Sequence, residues 1–343
     1  MSNSEKLPIN PKNPEALTGA NLKITINPNT YEILDILVDG YKNRLPPYDE
    51  AILPQEYKPE SLLPGGDQYS SPKHAMYFWN MCSYMQGAVK TDHAFKQMTK
   101  IFAENTDLFD CHFLAQSDPN DISEILKPYG LGRHHSAADH WVKNAKILLD
   151  NYDGDPRNVF NGVKSYEDCI ERIINKQKTA EKTGFYGFQK KMTSMILYFY
   201  MNEDLVPDIR FPMPVDFHAL RIALATEMIT VKPNDFYTYN HVVEDSLREL
   251  FQNYLNDKNV NPIDLTNCIW LLSSNLCNQC IGNHSPDSLR GINYRNMNIE
   301  ELRQSKSWLR SCGRCLVEKY CRLYISSDPY YDKGAIRPMP KNK

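Results

Sequence analysis

The sequence lacks any apolar run near the roughly 20 residues that a membrane-spanning helix needs, although 41% of its 343 residues are hydrophobic. Its first residues, MSNSEKLPINPKNPEALTG, contain no apolar core of the kind found in secretory signals. No segment alternates clearly between apolar and polar residues, and no internal repeat is visible. These absences predict an all-α protein that does not enter a membrane and that resides in the cytoplasm, with the nucleoid, or in the nucleus.

The net charge of −3 gives little indication of a partner, but the charge is unevenly distributed along the chain. Residues 1–125 contain 10 Lys and Arg against 17 Asp and Glu, a balance of −7. Residues 302–343 contain 10 against 3, a balance of +7, and residues 171–191 contain 6 against 2, a balance of +4. Such basic segments are typical either of a solvated surface or of a surface that contacts phosphates.

Apolar residues recur at helical spacing through most of the chain. Trp141, Ala145 and Leu148, for example, fall on one face of a predicted helix. Ser136 suits the N-cap of that helix, and Gly154 suits its end. The same pattern predicts further helices near residues 29–43, 73–86, 92–104, 166–176 and 240–256.

The segment from Gly184 to Arg221 combines a glycine turn, a lysine and an aspartate between two apolar helical patterns. Glycine permits tight turns, and backbone N–H groups at a helix start bind anions such as phosphate. Lys191 is predicted in the first turn of one helix and Asp216 at the start of the next. An amine and a carboxylate that meet in a fold can act as a nucleophile and its electrostatic partner. Taken singly, each residue also fits a plainer role, as a solvated lysine and an N-cap aspartate.

The order of these parts resembles the helix-hairpin-helix DNA glycosylase superfamily, and in particular its endonuclease III-like branch. Gly187-Phe188-Gln189-Lys190-Lys191 is similar to the hairpin that ends in the family's catalytic lysine. Val215-Asp216-Phe217-His218 is similar to the segment with its catalytic aspartate. Two departures are visible, because Gln189 replaces the second hairpin glycine and the interval between Lys191 and Asp216 is longer than is common.

The resemblance implies two helical domains with a helix-hairpin-helix motif and a C-terminal metal-cluster loop. Residues 28–70 and 201–330 would form a terminal domain that holds the loop. Residues 71–200 would form a central six-helix domain that carries the hairpin, with the active site in the cleft between the domains. The remaining residues, 1–27 and 331–343, are predicted to be tails, the first of them disordered.

The implied activity is removal of a damaged or modified base from double-stranded DNA by a monomeric enzyme. Lys191, made neutral by partial burial and positive neighbours, would attack the sugar at C1′ and form a Schiff base that permits strand cleavage. Asp216 would accept a proton and stabilise the positive charge that develops on the sugar.

The resemblance also implies several residues that bind DNA. Gly184, Gly187, Gln189 and Lys190 would contact the backbone at the hairpin. Gln86 would enter the base stack after the damaged base has been flipped out.

Nine cysteines are present, in two groups. Cys82, Cys111 and Cys169 are scattered among apolar residues and are predicted to lie in the core. The other six lie between Cys268 and Cys321. Such clustering in a cytosolic chain favours a metal site over disulfides.

Two metal sites fit the clustered cysteines. Cys277, Cys280, Cys312 and Cys315 form two C-x2-C pairs that suit tetrahedral zinc. The resemblance instead implies a [4Fe-4S] cluster held by Cys312, Cys315 and Cys321, whose C-x2-C-x5-C spacing matches the family's loop. Its first ligand would be Cys277 or Cys280, and we favour Cys277.

Two other functions remain open at this stage. A glycosidase that acts on a free nucleoside or nucleotide would explain the missing hairpin glycine and the acidic N-terminal third. A non-catalytic DNA-binding protein with a zinc module would explain the cysteines and the basic segments without an active site.

Overall fold

The computed structural model describes residues 23–49, 51–85, 91–174, 184–232, 237–238, 241–277, 314–321 and 335–336. Helices dominate these residues, which confirms the all-α class. The helices are α1 (Thr30–Lys42), α2 (Pro72–Tyr84), α3 (Thr91–Glu104), α4 (Cys111–Gln116), α5 (Pro119–Leu126), α6 (His134–Tyr152), α7 (Tyr166–Ile173), α8 (Lys190–Asn202), α9 (Phe217–Ala225), α10 (His241–Lys258) and α11 (Pro262–Leu271). Among the described helices, none combines the length and apolarity that a membrane span requires.

In the part of the chain that the structure describes, four short strands accompany the helices: β1 (Lys23–Ile26), β2 (Ile229–Lys232), β3 (Tyr237–Thr238) and β4 (Ala335–Ile336). β1 pairs antiparallel with β2, and β3 with β4. The prediction that residues 1–27 are disordered is therefore wrong for the last part of that range. A four-residue strand is too short to show a clear alternation, and its partner lies far away in sequence.

The chain divides into two compact units. One consists of Met1–Ala51 together with Val215–Lys343, and the other of Ile52–Pro214. The domain boundaries predicted from the sequence, after residues 70 and 200, remain a prediction.

The core of the unit Ile52–Pro214 is built around α2, most of whose residues are buried. This helix packs against α3, α6 and α8. Cys82, Cys111 and Cys169 are buried in the same unit, which confirms their prediction as core residues. Trp79 and Trp141 are both fully buried and are among the largest side chains in this core.

Helix α6 begins three residues earlier than its sequence pattern predicts. Its N-cap position is Arg133, in the left-handed region at φ 64°, so Ser136 lies inside the first turn. The Oγ atom of Ser123 on α5 hydrogen-bonds to Nδ1 of both His134, at 2.8 Å, and His135, at 2.7 Å. This contact between α5 and α6 stabilises the extra residues and cannot be seen in the local sequence.

In the other unit, α1 packs against α11. Tyr48 is buried and donates a hydrogen bond from its hydroxyl to the carbonyl of Cys268, 3.0 Å away. A short π-helix, Leu272–Cys277, continues from α11 and packs against α9.

A buried ion cluster joins three segments of the unit Ile52–Pro214. The Oε2 atom of Glu203 accepts from Nζ of Lys58 and lies 3.5 Å from Nε2 of His74. The Nδ1 atom of His74 accepts from the backbone N–H of Ser70, 3.1 Å away, so the ring proton is on the side of Glu203. Burial opposes ionisation of Glu203, but the approach of His74 and the hydrogen bond from Lys58 outweigh it and hold the pKa of that carboxyl below its usual value.

We expect Glu203→Gln to lower the free energy of unfolding at pH 7 by about 3 kcal/mol, because it leaves Lys58 buried without its counter-charge. A lowered folded-state pKa means that the stabilisation is complete above the unfolded pKa of about 4.3 and is lost as the pH falls through the folded value. Urea titrations across this range should show the variant and the wild type converging in acid. The matched control is Glu124→Gln in the exposed Lys127–Glu124 pair, which should cost about 0–1 kcal/mol. Equal costs for the two variants would contradict the prediction.

Candidate functional site

The predicted hairpin lies between α7 and α8. The backbone N–H of Phe185 donates to the carbonyl of Ile173, at 2.9 Å, at the end of α7. Gly184 is buried, whereas Gly187 is half-buried and adopts φ +83°. A side chain at that φ would strain the backbone, so the turn depends on glycine at position 187.

Aromatic packing holds the hairpin against α2. The rings of Phe185 and Phe188 are buried and each lies 4.7 Å from Trp79, centroid to centroid. These two side chains belong to the core, and only Tyr186 of the three hairpin aromatics is half-buried.

Asn144 on α6, which is fully buried, also fixes the hairpin through hydrogen bonds. Its Nδ2 donates to the carbonyl of Tyr186 at 2.9 Å, and its Oδ1 accepts from the N–H of Tyr186 at 2.7 Å. Sequence analysis missed this residue. The signal that could have found it is an asparagine in the apolar pattern of Trp141, Ala145 and Leu148, since a buried amide needs partners.

Lys191 is the second residue of α8, which confirms its predicted place in the first turn. Gln189 occupies the N-cap position without a side-chain capping hydrogen bond. Gln189 and Lys190 are exposed, and Lys191 is half-buried. The hydroxyl of Tyr166 on α7 donates to the carbonyl of Lys190 at 2.8 Å and thereby stabilises the start of α8.

The positive charge of Lys191 affects one residue of α2, Cys82. Burial raises the pKa of the Cys82 thiol well above its usual value, and the positive charge of Lys191 opposes this rise.

Asp216 is the N-cap of α9, as the sequence predicts. Its Oδ1 accepts from the backbone N–H groups of His218, at 2.8 Å, and Ala219, at 3.2 Å. His218 in turn hydrogen-bonds through Nδ1 to Oγ of the buried Ser273, 2.9 Å away. These contacts fix the half-buried carboxylate at the positive end of the helix dipole.

The two predicted catalytic residues belong to different units of the chain. Lys191 is part of Ile52–Pro214, and Asp216 is part of the unit that contains Val215–Lys343. Gln86, the residue predicted to enter the DNA stack, lies outside the described residues.

The predicted metal ligands are only partly covered by the structure. Cys312 and Cys280 lie outside the described residues, and Cys277 is described only in its backbone, at the end of the π-helix. Cys315 and Cys321 are half-buried. Within the described residues no group of three or more potential ligands could hold a metal ion, so the metal site stays a prediction.

The segment 314–321, which carries these two cysteines, packs against α1 in the same unit. Ion pairs join Arg314 to Asp49, at 2.6 Å, and Lys319 to Glu32, at 3.4 Å. Leu316 approaches α1 so closely that a Cβ atom at Gly40 would lie 2.1 Å from its Cδ1. Glycine inside a helix costs about 1 kcal/mol relative to alanine. Gly40 is present in α1 because a Cβ atom at this position would meet Leu316.

Comparison with known proteins leaves this chain without an assigned family. No protein-family model matches the sequence, and no curated protein matches it either. The solved structure of a thermostable thymine-DNA glycosylase is similar over 86% of this chain and 96% of its own chain, with 12% sequence identity and a TM-score of 0.46.

Proposed function

We propose that the protein is a DNA glycosylase that removes a damaged or modified base from duplex DNA and cleaves the strand through a lysine Schiff base. The observation that carries the proposal is the glycine turn at Gly187, which leads directly into the first turn of α8 and Lys191. The resemblance of this hairpin and of the Asp216 segment to the helix-hairpin-helix glycosylases supplies the reaction.

The hairpin is assigned to the DNA backbone. The Gln189 side chain makes no capping hydrogen bond at the start of α8, and the dipole of a helix N-terminus favours a phosphate. Lys190, which is exposed, adds positive charge at this place. Gly187 keeps the turn free of a side chain, while Gln189 replaces the glycine that would allow the closest approach.

Lys191 is assigned to the covalent step. Its Nζ lone pair forms a bond to C1′ of the deoxyribose as the bond from C1′ to the base nitrogen breaks and the base leaves with those electrons. Opening of the sugar ring and loss of the amine proton give an iminium, the Schiff base. Removal of a C2′ proton then expels the 3′ phosphate by β-elimination.

Asp216 is assigned to electrostatic stabilisation of the positive charge on the sugar. The hydrogen bonds to Oδ1 from the start of α9 orient the carboxylate before the substrate arrives. Such preorganisation removes the cost of reorientation from the reaction itself. The enzyme would act as a monomer, and Gln86 would occupy the space left by the flipped base.

Cys277, Cys312, Cys315 and Cys321 would hold a [4Fe-4S] cluster. The donor set fits, since four thiolates are the usual ligands of such clusters. Cys315 and Cys321 are held near α1 by the contacts of segment 314–321. The cluster would serve to fold this loop, because metal binding and local folding are coupled.

We expect protein purified without oxygen to be brown and to contain about four irons per chain. Cys321→Ala should bleach it, whereas Cys169→Ala, which alters a buried core cysteine of the other unit, should keep the iron. Visible absorption and metal analysis give the answer. Colourless protein with one zinc that needs both Cys277 and Cys280 would overturn the cluster assignment.

The runner-up is a glycosidase that acts on free nucleosides or nucleotides. The observation in its favour is Gln189, an exposed side chain at the N-cap of α8 where a phosphate backbone would approach. Base release should be measured with lesion-containing duplexes and with the matching free nucleosides. Release from the nucleosides alone would replace the first proposal with this one.

A further inference from the structure

The buried side-chain amide of Asn144 on α6 faces the hairpin with both its N–H donor and its oxygen acceptor. An asparagine in a helix interior is disfavoured relative to alanine, and a buried amide is costly unless all of its polar atoms are satisfied. Both atoms of this amide are satisfied by a single residue, Tyr186, through its N–H and its carbonyl. The side chain thus pairs with the hairpin main chain as a neighbouring strand would.

The pairing between Asn144 and Tyr186 lies next to the turn that leads to Lys191. Tyr186 directly precedes Gly187, the residue at φ +83° that turns the chain into α8. Lys191 follows only five residues after Tyr186. The ring of Tyr186 also lies on α6, with Nζ of Lys143 5.0 Å from its centroid.

Other contacts also constrain the hairpin: the N–H of Phe185 donates to the carbonyl of Ile173 at 2.9 Å, and Asn144 then fixes the backbone groups of the next residue, Tyr186. The rings packed on Trp79 can slide, since apolar contacts have no directional preference. The two hydrogen bonds between Asn144 and Tyr186 are directional, so they fix both the position and the orientation of the main chain at residue 186. Tyr166 holds the next point, the carbonyl of Lys190, at the start of α8.

We propose that Asn144 is a positioning residue for Lys191: it sets the register of the hairpin and thereby the placement of the amine at the sugar. This inference rests on the proposed function. Asn144 touches neither substrate nor reacting atoms and acts through the Tyr186 main chain.

The test uses a duplex with a preformed abasic site, because its aldehyde reports the addition of Lys191 without prior base excision. Single-turnover trapping by borohydride, normalised to the folded fraction, should be about 10–100-fold slower in Asn144→Ala. Affinity for the same duplex should change much less. The matched control is Asn151→Ala on α6, whose exposed amide donates only to the carbonyl of Ile147, and it should trap at the wild-type rate.

Asn144→Asp adds a pH readout. A carboxylate there accepts from the N–H of Tyr186 but faces its carbonyl, whereas a protonated carboxyl can donate to it. Burial favours the protonated form, while Lys143 and His140, both against the ring of Tyr186, are the cation and the titratable ring on this side of α6. The trapping rate of this variant relative to wild type should therefore rise as the pH falls, while that of Asn144→Ala should stay constant.

Hydrogen exchange of the Tyr186 amide decides the inference independently of the chemistry. Its protection should fall in Asn144→Ala and persist in Asn151→Ala. Wild-type trapping rates per folded Asn144→Ala molecule, or unchanged protection of this amide, would overturn the positioning role. Absence of any adduct in the wild type would overturn the proposed function instead, and exchange alone would then show whether Asn144 sets the hairpin.

Discussion

Lys191→Gln should abolish the covalent adduct that the wild type forms with lesion-containing DNA in the presence of borohydride. Glutamine keeps a polar side chain, one atom shorter, at the second position of α8 but has no amine to form an iminium. Loss of an activated nucleophile lowers rates by a factor on the order of 10⁴–10⁶. Denaturing electrophoresis of the trapped DNA, over duplexes with different lesions, measures the effect.

Lys190→Gln is the matched control for this experiment. Lys190 is the adjacent residue, is exposed, and carries the same charge, so its loss should weaken DNA binding and leave trapping at saturating DNA intact. An adduct that needs Lys190 instead would show that the register of the hairpin is wrong. A wild type that forms no adduct with any lesion would remove the lyase assignment.

Asp216→Asn should separate the structural role of this residue from its proposed chemical role. Asparagine caps a helix as well as aspartate does, so the melting temperature should stay close to that of the wild type. It carries no charge, so base excision should fall by about 10²–10³-fold. Differential scanning calorimetry and single-turnover excision assays give the two values.

The chain offers a close control for the loss of a capping carboxylate. Asp110 is the N-cap of α4, and its Oδ1 accepts from the N–H groups of the second and third residues that follow, at 2.9 and 3.1 Å. Asp216 makes the same pair of bonds at α9. Asp110→Asn should change neither stability nor excision. Full activity in Asp216→Asn would return Asp216 to the role of a cap alone.

Most helices could be predicted because their cause is local. The apolar periodicity, the capping chemistry and the glycine stops all lie within a few residues of each element. The same local rules predicted Lys191 in the first turn of α8 and Asp216 at the N-cap of α9. The match extends to α1, which the pattern placed at residues 29–43 and the structure at Thr30–Lys42.

The contacts that set the site depend on residues far apart in sequence. Asn144 meets Tyr186 across 42 positions, and Trp79 meets the hairpin rings across still more. The pairing of Ile24 with Val231, which gives order to residues expected to be disordered, is of the same kind. Nothing within a local window encodes these partners, so periodicity could not assign Phe185 and Phe188 to the core or find Asn144.

The nested division of the chain affects how it is made. α1 belongs to a unit whose other part begins only at Val215. The hydroxyl of Tyr48 bonds to the carbonyl of Cys268, which is synthesised 220 residues later. At ~5–20 residues per second, a ribosome needs about 10–40 s to supply that partner. During this interval Ile33, Leu34 and Leu37, fully buried in the finished protein, lack the part of their unit that begins at Val215, whereas every residue of the unit Ile52–Pro214 is added before that point. Synthesis thus completes the sequence of the hairpin-bearing unit before it supplies the partners of the N-terminal helix.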